Sequence, residues 1–193
     1  RYLRRSHRRR KPRFPRADRR GTIQNARPIS TRPASATKRS RLGHWERDTM
    51  FGKNRKIAVL VCTDRRSRYN RFIKLNRRKA VDVTRKTATV LAGLPLRSIT
   101  NDRGQEFNDS IRLEKKVGVK VYYCDPYSSY QRGTNENRIG ILRQYYPKRT
   151  PLEKLHWKTL KKVEFEINNR PMKCLDWKTP YEVMMKKSCT AFV

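Results

Sequence analysis

Three acids in this sequence are of the right type to do chemistry together: Asp48 in GHWERDTM, Asp102 in SITNDRGQEF and Glu136 in QRGTNENRIGIL. Each also has a plain structural use. Asp48 suits a strand edge, Asp102 suits the turn N-D-R-G, and Glu136 suits the first turn of a helix, where the dipole favours an anion. As a set they read differently. Carboxylates held close together repel and shift their pKa values unless a cation neutralises them, so a convergent trio makes sense chiefly as a divalent-metal site. Hard, oxygen-ligated Mg²⁺ or Mn²⁺ suits such donors. Two such ions roughly 3.5 to 4 Å apart clamp the attacking and leaving oxygens of an in-line displacement at phosphorus. Whether the three acids meet depends on the elements that carry them.

GHWERDTM reads as a short strand ending near Asp48. KIAVLVCTD is a continuous apolar run suited to a sheet centre, and RYNRFIKL is a third strand. FGKNR and DRRS are short enough to join these three as an antiparallel meander. Residues 79–92 place Ala80, Val83, Thr87, Val90 and Leu91 near helical spacing, and Gly93 with Pro95 stops that helix. RSITND is a fourth strand, EFNDSIRLEKKVG a helix ending at Gly118, VKVYYC a fifth strand and DPYSS a turn. In NENRIGILRQYY, Ile139, Leu142 and Tyr146 share one helical face, while Glu136, Gly140 and Arg143 share another. Thr150 and Pro151 signal the start of a helix to about Asn168, and TPYEVMMKK repeats the signal for a short last helix. The order β-β-β-α-β-α-β-α predicts an α/β domain of ribonuclease-H-like fold, a five-stranded mixed sheet with flanking helices. In that fold the first and fourth strands are neighbours, so two strand-end carboxylates and one from a helix can converge.

Composition bounds the ligand. The 193 residues carry 50 Lys and Arg against 16 Asp and Glu, a formal net charge of +34, and the sequence pI is 11.1. Nucleic acid is the expected partner. Charge alone would equally fit an RNA binder of ribosomal type, which leaves the three acids unexplained. Residues 1–42, with 16 Lys and Arg against the single Asp18, read as an extended basic arm or linker, and residues 43–193 as the catalytic core with its C-terminal helices. Such an arm would neutralise several phosphates and make binding steeply salt-dependent. Cys62, Cys124, Cys174 and Cys189 form no C-x-x-C pair, so reduced and mostly buried thiols are expected, without zinc. With neither a membrane span nor a signal peptide, a soluble, intracellular protein is expected. The chain begins at Arg1, which reads as a fragment. Trp45, Trp157, Trp177, Tyr122 and Tyr123 lie inside periodic segments and are expected in the core.

Longer words in the sequence carry a resemblance. GHWERD, SITNDRGQEF, VYYCDPYSSYQRGTNEN, LRQYYPK and NNRPMKCLDWKTPYEV resemble the catalytic domain of bacterial insertion-sequence transposases of the thirty family, relatives of retroviral integrases. The match runs from Gly43 to the end, and RPISTRP looks like the linker that precedes the core. The resemblance implies a DDE-type transposase. Asp48, Asp102 and Glu136 match the three catalytic, metal-binding acids, and 33 residues separate Asp102 from Glu136, as in the family's D-(33)-E signature. It further implies two Mg²⁺ or Mn²⁺ ions, DNA ends and target DNA as partners, a homo-oligomer on DNA, a circular intermediate, and a bacterial cytoplasmic, nucleoid-associated location. The family's amino-terminal helix-turn-helix has no counterpart here, so end recognition is not expected of this sequence.

Around the third acid, Arg132, Thr134, Asn135, Asn137, Arg143 and Lys148 are candidates for DNA contact, as is Arg103 beside Asp102; Thr134 and Asn135 could instead cap the helix. The family usually has Gly at Arg47, Asn at Arg103 and Trp at Tyr130. Arg47 and Arg103, each adjacent in sequence to a proposed ligand, could compete with metal or bind the scissile phosphate. They motivate an alternative, a catalytically silent, transposase-derived DNA-binding protein. Glu46, on the same strand face as Asp48, and Glu106, after the D-R-G turn, are expected neighbours of the site.

Overall fold

A computed structural model describes residues 23, 26–54, 56–126 and 128–185. The basic arm expected over residues 1–42 therefore lies largely outside the described residues. Its last part is described, and includes the short helix α1, Ala34–Thr37. Five strands follow: β1 His44–Phe51, β2 Ala58–Asp64, β3 Asn70–Leu75, β4 Ser98–Asn101 and β5 Lys120–Tyr123. They form one sheet in the order β3-β2-β1-β4-β5. β1, β2 and β3 pair antiparallel, whereas β1–β4 and β4–β5 pair parallel. The mixed sheet and its strand order are those of the expected fold. β1 itself runs past Asp48 to Phe51, further than its sequence suggested, because Thr49, Met50 and Phe51 keep pairing with Leu60, Val59 and Ala58.

β2 is buried on both faces, which is why its sequence is an unbroken apolar run. Its alternate residues divide the core: Ala58, Leu60 and Cys62 join one cluster, Val59 and Val61 the other. On the first face lie α2, Ala80–Leu91, and α3, Ser110–Val117, with Val83, Val90, Leu91 and Leu113 packed inward. α3 stops at Gly118, whose φ of +71° is the left-handed conformation of a helix C-terminus, and its N–H closes the end on the Glu114 carbonyl. On the second face lie α4, Gly133–Tyr145, and α5, Trp157–Asn168, through Leu142, Leu160, Val163 and Ile167. A last short helix, α6, spans Pro180–Met185. Thr179 and Glu182 close its start reciprocally: the Thr179 N–H donates to Glu182 Oε2 and the Glu182 N–H to Thr179 Oγ1.

Two expectations require correction. The Thr150-Pro151 signal does not begin a long helix: a 3-10 turn at Leu152–Lys154 is followed by extended backbone at Leu155, and α5 starts only after His156, whose ring accepts from the Lys158 N–H. Leu152 and Leu155 are both buried in the second cluster, so packing sets the break. Trp157 and Trp177 are exposed, at 62% and 69% of their surface, while Trp45, Tyr122 and Tyr123 are buried as expected. Cys62 and Cys124 are buried free thiols, Cys174 is exposed, and Cys189 lies outside the described residues. Among the described residues no helix is long and apolar enough to cross a membrane.

Candidate metal and nucleic-acid site

Parallel pairing of β1 with β4 sets the first two acids side by side. His44 lies opposite Ser98 and Glu46 opposite Thr100, so the same register carried two residues further brings Asp48 level with Asp102, one residue beyond the end of β4. Alternation puts Glu46 and Asp48 on the α4 side of β1 and Trp45, Arg47 and Thr49 on the α2 side.

The two carboxylates share one cation. Arg132, at the entrance of α4, donates from Nη1 to Asp48 Oδ2 at 2.6 Å, and its Nη2 lies 3.5 Å from Asp102 Oδ2. Asp48 also accepts from the Thr49 N–H at 2.7 Å and Asp102 from the Gly104 N–H at 2.9 Å, which fixes both groups. Burial pushes the Asp48 carboxyl up to about 6; Arg132 opposes that shift and Asp102 adds to it. For Arg132, burial disfavours the charge, but Asp48 and Asp102 outweigh it and hold its pKa above the ordinary arginine value. The two carboxylates are thus held together by the charge of Arg132.

Glu136 lies one turn along α4 from Arg132. It is exposed, and it has no hydrogen-bond or ion-pair partner among the described residues. No three His, Cys, Asp or Glu side chains among the described residues stand close enough together to hold a metal ion. The structure therefore brings Asp48 and Asp102 together and leaves Glu136 apart from them. Two hard carboxylates already converging on one positive group are the donor chemistry a divalent cation takes, so the pair fits such an ion.

The remaining candidates divide by exposure. Asn137 and Lys148 are exposed. Arg143 turns back to donate to the Phe51 carbonyl at 2.6 Å. Arg103 donates through Nε to the Cys124 carbonyl at 3.1 Å. Asn135 is fully buried and accepts from Thr63 Oγ1 at 2.9 Å, and Thr134 is 4% exposed. Arg47 is the clearest correction. It is 1% exposed, lies over the Phe107 ring at 4.6 Å and donates to Thr87 and Asn101, on the opposite face of the sheet from Asp48. It cannot compete for a metal there, and strand alternation alone would have said so.

Two positioning contacts join this site to its surroundings. Glu46 is fully buried, pairs with Arg65 and accepts the Asn135 N–H at 2.8 Å, so β1 grips the first turn of α4 next to Glu136. Arg65 also donates to the Ala36 carbonyl, tying α1 to the same group. Glu46 is the neighbour of the site that its strand position predicts, whereas Arg65 sits in a turn of several arginines with nothing local in the sequence to single it out. Glu106 accepts from Thr49 and pairs with Arg78 instead, on the α2 side.

The chain is 43% identical over 190 residues to the transposase InsI for insertion sequence element IS30A of Escherichia coli K12, covering 95% of this chain and 49% of that protein. It is 38% identical over 187 residues to the transposase for insertion sequence element IS1086 of Cupriavidus metallidurans, covering 94% and 55%. The chain thus spans about half the length of the curated relatives it matches. The crystal structure of the catalytic core domain of BIV integrase superposes with a TM-score of 0.60 at 16% identity, covering 78% of this chain and 98% of that one, a likeness of fold. No protein-family model matches the chain.

Proposed function

From homology that places this chain in the IS30 family of insertion-sequence transposases, we propose that it is the catalytic portion of a transposase that cuts a DNA phosphodiester at an element end and joins the freed 3′-hydroxyl to target DNA. The observation that carries this reading is the convergence of Asp48 and Asp102, from adjacent parallel strands, on one cationic group. Asp48 and Asp102 would hold two Mg²⁺ or Mn²⁺ ions, and Glu136 would complete the set from the first turn of α4. Bound there, the ions would supply the positive charge that steadies the attacking and leaving oxygens of the displacement. The chain's own residues do the rest. Strand pairing fixes Asp48 relative to Asp102, Glu46 fixes the start of α4, and Arg132 keeps the two carboxylates paired with a cation. Asn137 and Lys148, both exposed, offer donors to the DNA backbone. The charge of +34 favours DNA at every approach. Work on two DNA ends would make a homo-oligomer on DNA the active form, in a cytoplasmic, nucleoid-associated setting.

The test is nicking and strand transfer on a short duplex with Mg²⁺, Mn²⁺ or chelator, comparing the chain with Asp102→Asn and Glu136→Gln at equal DNA occupancy. Metal-dependent product that disappears in both variants is the expected result. Product that persists in both variants would sink the three-acid assignment; tight binding with no product from the parent chain would favour the silent binder.

A further inference from the structure

A cavity of about 230 Å³ opens beside the first turn of α4, one residue beyond Arg132, lined in part by Arg39, Arg68, Thr134, Asn137 and Cys174. Three separate stretches of chain build it: the segment before β1, the β2–β3 turn and the loop after α5. Two arginines from the first two meet on one neutral oxygen. Arg68 Nη1 donates to Thr134 Oγ1 at 2.9 Å, and Arg39 Nη2 lies 3.4 Å from the same atom. Among the described residues neither arginine has a carboxylate within ion-pair distance.

Two like charges converging on a hydroxyl are an unfavourable arrangement that an anion between them would relieve. Burial, and after it Arg68 and Arg65, hold the pKa of Arg39 below the ordinary arginine value, with Glu46 acting the other way. The backbone is also strained at both positions. Arg39 has φ of +54° and Arg68 φ of +63°, the left-handed region that non-glycine residues rarely adopt. Thr134 and Asn137 add a hydroxyl and an amide at the helix start, which itself favours an anion.

We propose that this cavity is a phosphate seat, in which Arg39, Arg68 and Thr134 hold one backbone phosphate of DNA alongside the carboxylate site. The inference rests on the reading of the chain as a DNA-acting enzyme and adds a contact to it. A carboxylate from a second copy of this chain is the poorer occupant, because 50 Lys and Arg face only 16 Asp and Glu in each copy. The seat would fix the position of the DNA relative to α4, and thereby to Glu136.

Cys174 lines the cavity and is exposed, whereas Cys62 and Cys124 are buried, so alkylation of Cys174 reports on occupancy. The full chain would be treated with iodoacetamide in chelator, with duplex DNA, with inorganic phosphate or with neither, and Cys174 modification followed by peptide mass spectrometry. Protection by DNA, alone or with protection by phosphate, is expected. Protection should be lost in Arg39→Asn/Arg68→Asn at equal DNA occupancy, asparagine being chosen because it tolerates the left-handed backbone. The slope of log affinity against log salt should fall by about 0.9 for one phosphate released. Unchanged Cys174 reactivity on the DNA-bound parent chain would overturn the proposal without recourse to a variant, as would protection by phosphate but not by DNA. Because no metal is present, these outcomes are independent of whether the three acids cleave DNA.

Discussion

His44 joins three parts of the chain through one ring. Its Nε2 pairs with Ser35 Oγ at 2.9 Å and its Nδ1 with Ser98 Oγ at 2.7 Å. Burial, with Arg97, Arg32, Arg65 and Arg41 around it, lowers its pKa to about 4. Unfolded, the same ring titrates near 6.5. Between those values the unfolded chain binds a proton that the folded chain refuses, so this residue's contribution is intact above about pH 6.5 and is lost as pH falls toward 4. The full loss is on the order of 3 kcal/mol. Urea unfolding of the chain and of His44→Gln at pH 7, 5.5 and 4.5 should show the parent losing stability more steeply than the variant; parallel curves would remove His44 from the account. Neighbours in sequence can have unrelated roles at this scale. Asp48 meets Arg132 on one face of β1, while Arg47, adjacent to it, is sealed under α2 on the other.

At the scale of elements, the candidate site depends on how α4 is held to the sheet. Its first turn is gripped by Glu46 through the Asn135 N–H, and Glu46 is itself neutralised by Arg65. Cutting a buried pair on one side leaves the other charge uncompensated, so Glu46→Ala should lower unfolding free energy by about 3–5 kcal/mol. The same change should speed hydrogen exchange at the Asn135 amide more than at amides late in α4. Equal stability to the parent chain would show that α4 docks through Leu142 and Tyr146 alone. Most elements could be read from local pattern: the apolar run of β2, the spacing of Val83, Thr87, Val90 and Leu91 in α2, and Gly118 at the end of α3. The start of α5 could not, because Thr150-Pro151 is a valid local signal that burial of Leu152 and Leu155 overrides.

For the whole molecule, a net charge of +34 acts in opposite directions on folding and on binding. Self-repulsion destabilises the compact chain and is screened by salt, whereas counterion release makes DNA binding weaken with salt. Raising NaCl from about 0.1 to about 0.5 M should therefore raise the thermal midpoint of the free chain while DNA affinity falls steeply on the same series. A midpoint that falls with salt would mean that exposed ion pairs such as Arg85–Asp82 outweigh the repulsion. The sequence by itself determined the element order, and it pointed to nucleic acid as the ligand and to three candidate acids, because strand and helix periodicity, total charge and motif spacing are written along the chain. Only the tertiary structure decided that Arg132 lies between Asp48 and Asp102, that Glu136 stands apart from them, and that Arg39 and Arg68 meet on Thr134. Those relations join residues from 29 to 95 positions apart. At such separations the packing of α4 against the sheet sets which side chains meet, and no local pattern encodes it.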